Sequence, residues 1–272
     1  MRLRDKLNQL KAEKKAILAA NFYNFETLSG ILQAASTLQL PVILQLSESS
    51  IHYMGLAIAA NMAKTAIKEY KVEAWLHLDH GSSVEIVQHC LDNGFDSVMI
   101  DASEKPLDEN IRVTKQVISI AEKYDASVEA ELGFVAKLGQ AQGTLFTQPE
   151  DAMNFVESTG VHSLAIAIGS AHGFYKQAPK LDIELLARIS QSIPTPLVLH
   201  GSSGIPDAML IDSIRNGICK INLATETKNA FMLALKDRLK NNNEIDLRVV
   251  FPDATRVVTD LIQNKLKTIN KA

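Results

Sequence analysis

Three histidines each close an apolar run: His80 in WLHLDHG, His172 in LAIAIGSAHG and His200 in PLVLHGSSG. The runs read as β-strands, and a histidine beside a glycine just past a strand end is placed to enter a shared cleft. Three neutral imidazoles at one mouth are the ligand set of a catalytic zinc, which takes three protein ligands and keeps a fourth position for substrate. Other polar residues end runs of the same kind: Asp79 beside His80, Asp101 and Ser103 after VMI, Glu129 and Glu131 in VEAEL, Asn222 and Thr225 in INLAT. Each alone is more often a capping or core group. Together they point to a metal with carboxylates that tune or supplement it. After His200, the turn Gly201, Ser202, Ser203, Gly204 leads to Pro206 and Asp207 at a helix start. Such a turn exposes backbone N–H groups and hydroxyls and suits a phosphate; the alternative is an ordinary βα loop with Asp207 in the first helical turn.

The elements that must position these residues alternate regularly. Apolar runs rich in Val, Ile, Leu and Ala fall at 17–21, 42–46, 74–78, 97–100, 127–131, 163–168, 197–199 and 219–223. Their centres lie roughly 22 to 36 residues apart, about one βα unit. The runs are continuous rather than alternating, as in a parallel sheet buried on both faces. Between them, 26–38, 52–70, 84–93, 109–124 and 207–216 carry apolar residues at helical spacing, and 226–241 and 252–269 continue as helices after the eighth run. A charged helix precedes the first. Eight such units predict a single (β/α)8 TIM barrel over residues 1–272, with an N-terminal helix and extra C-terminal helices. In that fold the reactive groups collect at the C-terminal mouth, and phosphates frequently sit on the seventh and eighth loops. A doubly wound open sheet is the other arrangement; its phosphate loop normally carries glycines after the first strand, and NFYNFETLSG offers none there. His77, two residues before Asp79, faces the same way along its strand, into the interior, in a packing or supporting role. His52 opens the second helix near the mouth, and His89 and His162 fall in helix or surface positions.

Composition narrows the function classes. The 272 residues are 46% hydrophobic and 22% charged with a formal net charge of −3, enough to bury a large core. There is no broad basic field for nucleic acid. No stretch reaches the roughly 18 apolar residues of a membrane span, and the start MRLRDKLNQLKAEKKA reads as a charged helix, so a cytoplasmic location is expected. Cys90 and Cys219 fit reduced buried thiols better than a disulfide framework.

The motifs NFYNFETLSGIL, PVILQLSESSIHYMG, LHLDHG, VMIDAS, VEAELG, AIGSAHGFYK, PKLDIELL, PLVLHGSSGIPD and GICKINLATETKNAF run in order over most of the chain. As a set they are highly specific, and the chain resembles the class II, zinc-dependent ketose-bisphosphate aldolases, of the tagatose-bisphosphate and fructose-bisphosphate type. The resemblance implies metal-dependent cleavage of a ketose bisphosphate to dihydroxyacetone phosphate and an aldehyde such as glyceraldehyde 3-phosphate. It implies that His80, His172 and His200 hold the zinc, and that Asp101 and Glu131 bind a second or alternative metal position. Gly173, Gly201, Ser202, Ser203, Asn222, Leu223, Ala224 and Thr225 would hold the phosphate, with Asp79 as proton donor. It leaves an additional monovalent cation open, and implies a homodimer or homotetramer with the C-terminal helices as interface. The residue types suit the chemistry. Removing a proton beside a ketone leaves an enediolate that zinc stabilises as a Lewis acid, and Asp79 can exchange the aldehyde hydroxyl proton in either direction.

Departures from the family pattern fall at particular places. After VEAELG the family continues with a glycine-rich loop bearing a proton-shuttling glutamate, whereas FVAKLGQAQGTLFTQPED has no carboxylate between Glu131 and Glu150. His52 stands where a lysine is usual, Ala102 replaces a glycine and Glu104 a histidine. Two further readings follow from these departures: a 6-phospho-5-dehydro-2-deoxygluconate-type aldolase, and a metal- and sugar-phosphate-binding relative of low activity that lacks the loop base.

Overall fold

In the computed structural model, the described residues are 1–133, 146–175, 177–240 and 242–272. Helix α1 (Leu3–Glu13) leads into β1 (Ile17–Asn21), α2 (Phe25–Leu38), β2 (Val42–Ser47), α3 (Glu48–Met54), α4 (Leu56–Tyr70), β3 (Ala74–Gly81), α5 (Val84–Asp92), β4 (Ser97–Ile100) and α6 (Leu107–Ala121). The second half runs through β5 (Ser127–Leu132), α7 (Pro149–Thr159), β6 (Ser163–Ile166), α8 (Ile183–Ser192), β7 (Leu197–Leu199), α9 (Asp207–Arg215), β8 (Ile218–Leu223), α10 (Thr225–Leu239) and α11 (Leu247–Ile269). The eight strands pair in parallel and in sequence order, β8 closing on β1. This is a (β/α)8 barrel, and it excludes the open doubly wound sheet. No helix among the described residues is long and apolar enough to cross a membrane.

Parallel strands need crossovers, and the helices that supply them bury their apolar faces against the outside of the barrel. Leu28, Ile31, Leu32 and Ala35 of α2 recur at helical spacing and pack into this layer with Val258 and Ile262 of α11. The contact is close at Gly30, where an added Cβ would lie 2.9 Å from Val258 Cγ1. At the opposite end from the histidines, Leu3, Leu7 and Leu10 of α1 pack with Ile17, Ala19, Ile43, Trp75 and Cys219 and close the barrel floor. The Trp75 indole N–H donates to the Met1 carbonyl at 3.0 Å and ties the chain start to that floor.

Several boundaries differ from the sequence expectations. The helix expected over 52–70 is two helices, α3 and α4, broken at Gly55, whose φ of 83° a helix cannot hold. His52 therefore sits exposed in the last turn of α3 instead of opening a helix. The last helix starts at Leu247, five residues before Pro252, which lies inside it in the second turn and has no N–H to give to the Arg248 carbonyl four residues back. Strand β3 runs on to Gly81, so His80 lies within the strand, in left-handed backbone at φ 54°. A residue held in that region by its surroundings is a common mark of a functional position. Cys90 and Cys219 are free and buried, as expected.

Candidate metal centre and active site

Strand alternation sends every second side chain inward. In β3 these are Trp75, His77 and Asp79; in β5, Ser127, Glu129 and Glu131. In β8, a bulge between Ile218 and Lys220 adds Cys219 against β7 and turns Lys220 and Asn222 into the barrel. The result is a column of charged and polar groups above an apolar floor.

At the mouth the three histidines converge from β3, the loop after β6 and the end of β7. Ring centroids lie 5.0 Å apart for His80 and His172, 4.7 Å for His80 and His200, and 5.9 Å for His172 and His200. One nitrogen from each lies within 4.8 Å of the others. Gly201 allows the approach: at φ 66°, any side chain there would collide with the backbone of Ala171, beside His172. His80 Nε2 and His200 Nδ1 face each other at 2.9 Å, and two nitrogen lone pairs cannot meet so closely without a proton or a cation between them. His80 Nδ1 contacts Asp101 Oδ2 at 2.7 Å, and Ser103 Oγ donates to the other oxygen of Asp101 at 2.7 Å. His80, Asp101 and Glu131 form a second group with metal-ligand spacing, and Glu131 Oε2 lies 3.4 Å from His200 Nδ1.

The electrostatics agree with a cation site. Burial works to lower the pKa of His80, but Asp79, Asp101 and Glu131 together outweigh it and raise it to about 9. His200 is pushed the other way, well below its ordinary value, by burial and by the charges of His80 and Lys220. In the metal-free site His80 thus carries the proton that His200 Nδ1 accepts. A divalent cation that replaces this proton meets nitrogen donors with carboxylates behind them, a donor set that suits zinc.

Asp79 is held by three amides from three strands. Asn21 Nδ2 donates to it at 2.8 Å, Gln45 Nε2 at 2.8 Å and Asn222 Nδ2 at 3.3 Å. Burial tends to raise its pKa, yet the neighbouring charges of His80 and Lys220 and the Asn21 amide bring it below the usual carboxylate range. It lies 3.9 Å from His80 Nε2. The three amides keep their carbonyl oxygens, Asn21 Oδ1, Gln45 Oε1 and Asn222 Oδ1, buried without a partner among the described residues. Buried acceptors of that kind cost about 1–3 kcal/mol each unless a ligand or water donates to them. Asn21 and Gln45 escaped the sequence reading, although each is a polar residue at an inward position of an apolar strand; in the sheet Asn21 pairs with Gln45, and Gln45 with His77, two residues before Asp79.

The cleft at this point is narrow and is lined by Asn21, Asp79, His80, His172, Gly173, Gly201, Ser202, Ser203, Asn222, Ala224 and Thr225. Most of the residues read from the sequence as phosphate contacts therefore line the same cleft as His80 and His172. Ala224 supplies no capping side chain to α10, so any cap on its first amides comes from another loop. Ser203 Oγ accepts from the Glu226 amide at 3.2 Å, and Ser202 Oγ donates to the Asn222 carbonyl. Leu223 does not line the cleft; its side chain is buried in the layer between strands and helices, because it alternates with Asn222. Any role it has toward an anion falls to its backbone.

The remaining residues divide by position. His77 is fully buried inside the barrel, while His89 is exposed and His162 accepts from the Val128 amide at 2.9 Å. Ala102 is buried and Glu104 exposed. Residues 134–145, most of the stretch in which the sequence lacks a carboxylate, lie outside the described residues. Glu150 and Asp151 are exposed in the first turn of α7, where acidic groups complement the helix dipole.

A closed parallel barrel with metal-capable side chains gathered at its C-terminal mouth is the arrangement of barrel enzymes, whose reactive groups collect at that face. The family model for class-II fructose-bisphosphate aldolase matches residues 1–272, and the chain belongs to that family. It is an aldolase, a lyase that makes and breaks a carbon–carbon bond. Among solved structures it is similar to the YdjI aldolase of Escherichia coli K12, with 33% identity, 98% of this chain and 96% of that chain covered, and a TM-score of 0.89. A Coccidioides immitis protein described as a candidate fructose-1,6-bisphosphate aldolase is 26% identical over 99% of this chain and 96% of its own, with a TM-score of 0.90. The Campylobacter jejuni fructose-bisphosphate aldolase shares the fold, at 24% identity over 98% of this chain and 94% of its own and a TM-score of 0.84.

Proposed function

We propose that the protein is a zinc-dependent aldolase acting on a ketose bisphosphate of the tagatose- or fructose-1,6-bisphosphate type. His80, His172 and His200 would hold the metal, with Glu131 beside them. Asp101, grouped by resemblance with the metal ligands, acts through His80, since its two oxygens are engaged by His80 and Ser103. Bound zinc supplies Lewis-acid stabilisation of the negative charge that develops on the ketone oxygen. Asp79, an amide-pinned carboxylate, takes the hydroxyl proton of the departing aldehyde, and the electrons of the broken bond pass to the dihydroxyacetone phosphate half. In condensation it returns that proton. Asn21, Gln45 and Asn222 turn unpartnered carbonyls into this region, and a hydroxyl-rich substrate has the donors they lack.

The observation that carries this reading is the shared cleft: metal-capable nitrogens, the Asp79 carboxylate and the start of α10 open into one space. Phosphate held by Gly173, Gly201, Ser202, Ser203 and the residues 222–225 supplies positioning energy remote from the reacting bond. A homo-oligomer is supported by exposed Leu233, Leu239, Leu247 and Val249 on α10 and α11, and sedimentation would check it.

A second reading, a low-turnover binder of metal and sugar phosphate, draws on the missing carboxylate between Glu131 and Glu150. Dihydroxyacetone phosphate in deuterated water separates the two. Metal-dependent exchange at its hydroxymethyl carbon, abolished by His172→Ala, is expected; tight binding without exchange would support the second reading instead. A panel of phosphorylated ketoses, including 6-phospho-5-dehydro-2-deoxygluconate, with coupled detection of the three-carbon product then identifies the substrate.

A further inference from the structure

Beneath His200 lies a group of side chains that neither the metal centre nor the proton transfer uses. Lys220 on β8 and His77 on β3 are fully buried, and Glu129 on β5 is 1% exposed. An ammonium group inside a barrel is costly unless every proton finds a partner. Here Lys220 Nζ donates to Glu129 Oε2 at 2.8 Å and meets His77 Nε2 at 3.5 Å, while His77 Nδ1 contacts Ser97 Oγ at 2.9 Å. The second oxygen of Glu129, Oε1, faces His200 Nε2 at 2.9 Å and is the nearer of two contacts there, Asn222 Nδ2 lying 3.1 Å from the same nitrogen. The chain Ser97, His77, Lys220, Glu129, His200 thus ends at the ring whose Nδ1 points into the histidine cluster.

We propose that Lys220 and Glu129 are positioning residues for His200. Lys220 occupies one carboxylate oxygen and so fixes the rotation of Glu129, whose other oxygen then accepts the Nε2–H of His200. With that proton on Nε2, the lone pair of Nδ1 faces the metal position and the ring cannot turn away. The bulge that adds Cys219 to β8 is what brings Lys220 into line. A purely structural role is a poor account of the pair, because apolar side chains of similar volume usually stabilise a buried site as well or better. The inference rests on reading the three histidines as a metal centre.

Glu129→Gln gives the sharpest test. Beside the Lys220 ammonium the amide must turn its oxygen toward Nζ and its NH2 toward His200, which forces His200 Nε2 to accept and moves the ring proton to Nδ1. Zinc affinity, measured by competition with a chromogenic chelator, should fall about a hundredfold, and the visible absorption of the cobalt(II) form should change shape. Lys220→Met alone should weaken zinc about tenfold. In the double variant Lys220→Met with Glu129→Gln, the amide is free to turn back, and zinc affinity should recover to within about tenfold of the unmodified chain. The discriminating readout is the cobalt(II) spectrum of Glu129→Gln, because a merely structural buried pair would also recover when both charges are removed but would not reshape the metal's absorption. The unmodified chain is titrated first: if it takes up no zinc, the metal-centre reading fails. If it binds zinc and the single variants bind equally well with the same cobalt spectrum, only this inference fails. Should a single variant not fold, the double variant, which has no unpaired buried charge, decides. Folded and within about tenfold it supports the inference, and folded with a loss beyond about a hundredfold it overturns it.

Discussion

The two ends of the barrel interior are built from the same strands and do opposite things. At the floor, Ile17, Ala19, Ile43, Trp75 and Cys219 meet Leu3, Leu7 and Leu10 of α1 in a dry cluster. Further along the same inward rows, β1 reaches Asn21, β2 reaches Gln45, and β3 passes from Trp75 to His77 and Asp79. Two residues of a strand rise only about 6.6 Å, so the change from apolar packing to buried charge is abrupt. A floor sealed by burial gives a rigid base. The mouth holds groups whose desolvation costs stability and whose partners come from other strands, as expected where binding and proton transfer are placed.

Separate perturbations of the two ends should have separate consequences. The largest effect is expected at the mouth: Asp79→Ala should lower kcat about a thousandfold while zinc content, read by elemental analysis, stays at the level of the unmodified chain. Loss of zinc along with activity would mean that Asp79 is a ligand and not the proton carrier. At the floor, Leu7→Ala should cost about 3 kcal/mol in denaturant unfolding and leave kcat of the folded enzyme within about twofold. A large fall in kcat would show that the ends are coupled.

Protons distinguish the ends next. His80 in the folded, metal-free site titrates near 9, above the roughly 6.5 of an unfolded histidine. Its contribution to the stability of the metal-free form is therefore fully present below about 6.5 and is lost as pH rises through about 9. Zinc needs the neutral ring, so its measured affinity should climb about tenfold per pH unit across that window and level off above it. Thermal melts of the metal-free chain and zinc titrations over the same pH series should move in opposite directions. The smallest effect is expected for Ser203→Ala, which removes one hydroxyl from the proposed phosphate wall and should raise KM about fivefold with kcat nearly unchanged. An unaltered KM would place the phosphate elsewhere.

Much of this was legible in the sequence because parallel strands buried on both faces leave continuous apolar runs, and a polar residue that ends such a run has few places to go but the mouth. That signal placed His80, His172, His200, Asp79, Asp101, Glu131 and Asn222 at one end of the barrel, where the structure brings them together. Asn21 and Gln45 were missed because an isolated amide in or at the end of an apolar run has no local signature; their partner Asp79 is 58 and 34 positions away. Lys220 was missed for a different reason. In ICKINL the bulge at Cys219 shifts the alternation, and without that shift the inward row cannot be read from the string. The break between α3 and α4 was hidden because Gly55 interrupts an otherwise helical run of apolar residues.

By itself, then, the sequence determined the eight-fold alternation, the residue types at the strand ends and membership of a family of barrel aldolases, since hydrophobic periodicity and motif order are properties of the chain alone. Only the tertiary structure decided which of those groups touch. Lys220 meets Glu129 across 91 positions and His77 across 143, and the stagger of a closed barrel, together with one bulge, sets which inward residues share a height. That height separates a lysine that props a histidine from one that would be an unpaired charge in the core.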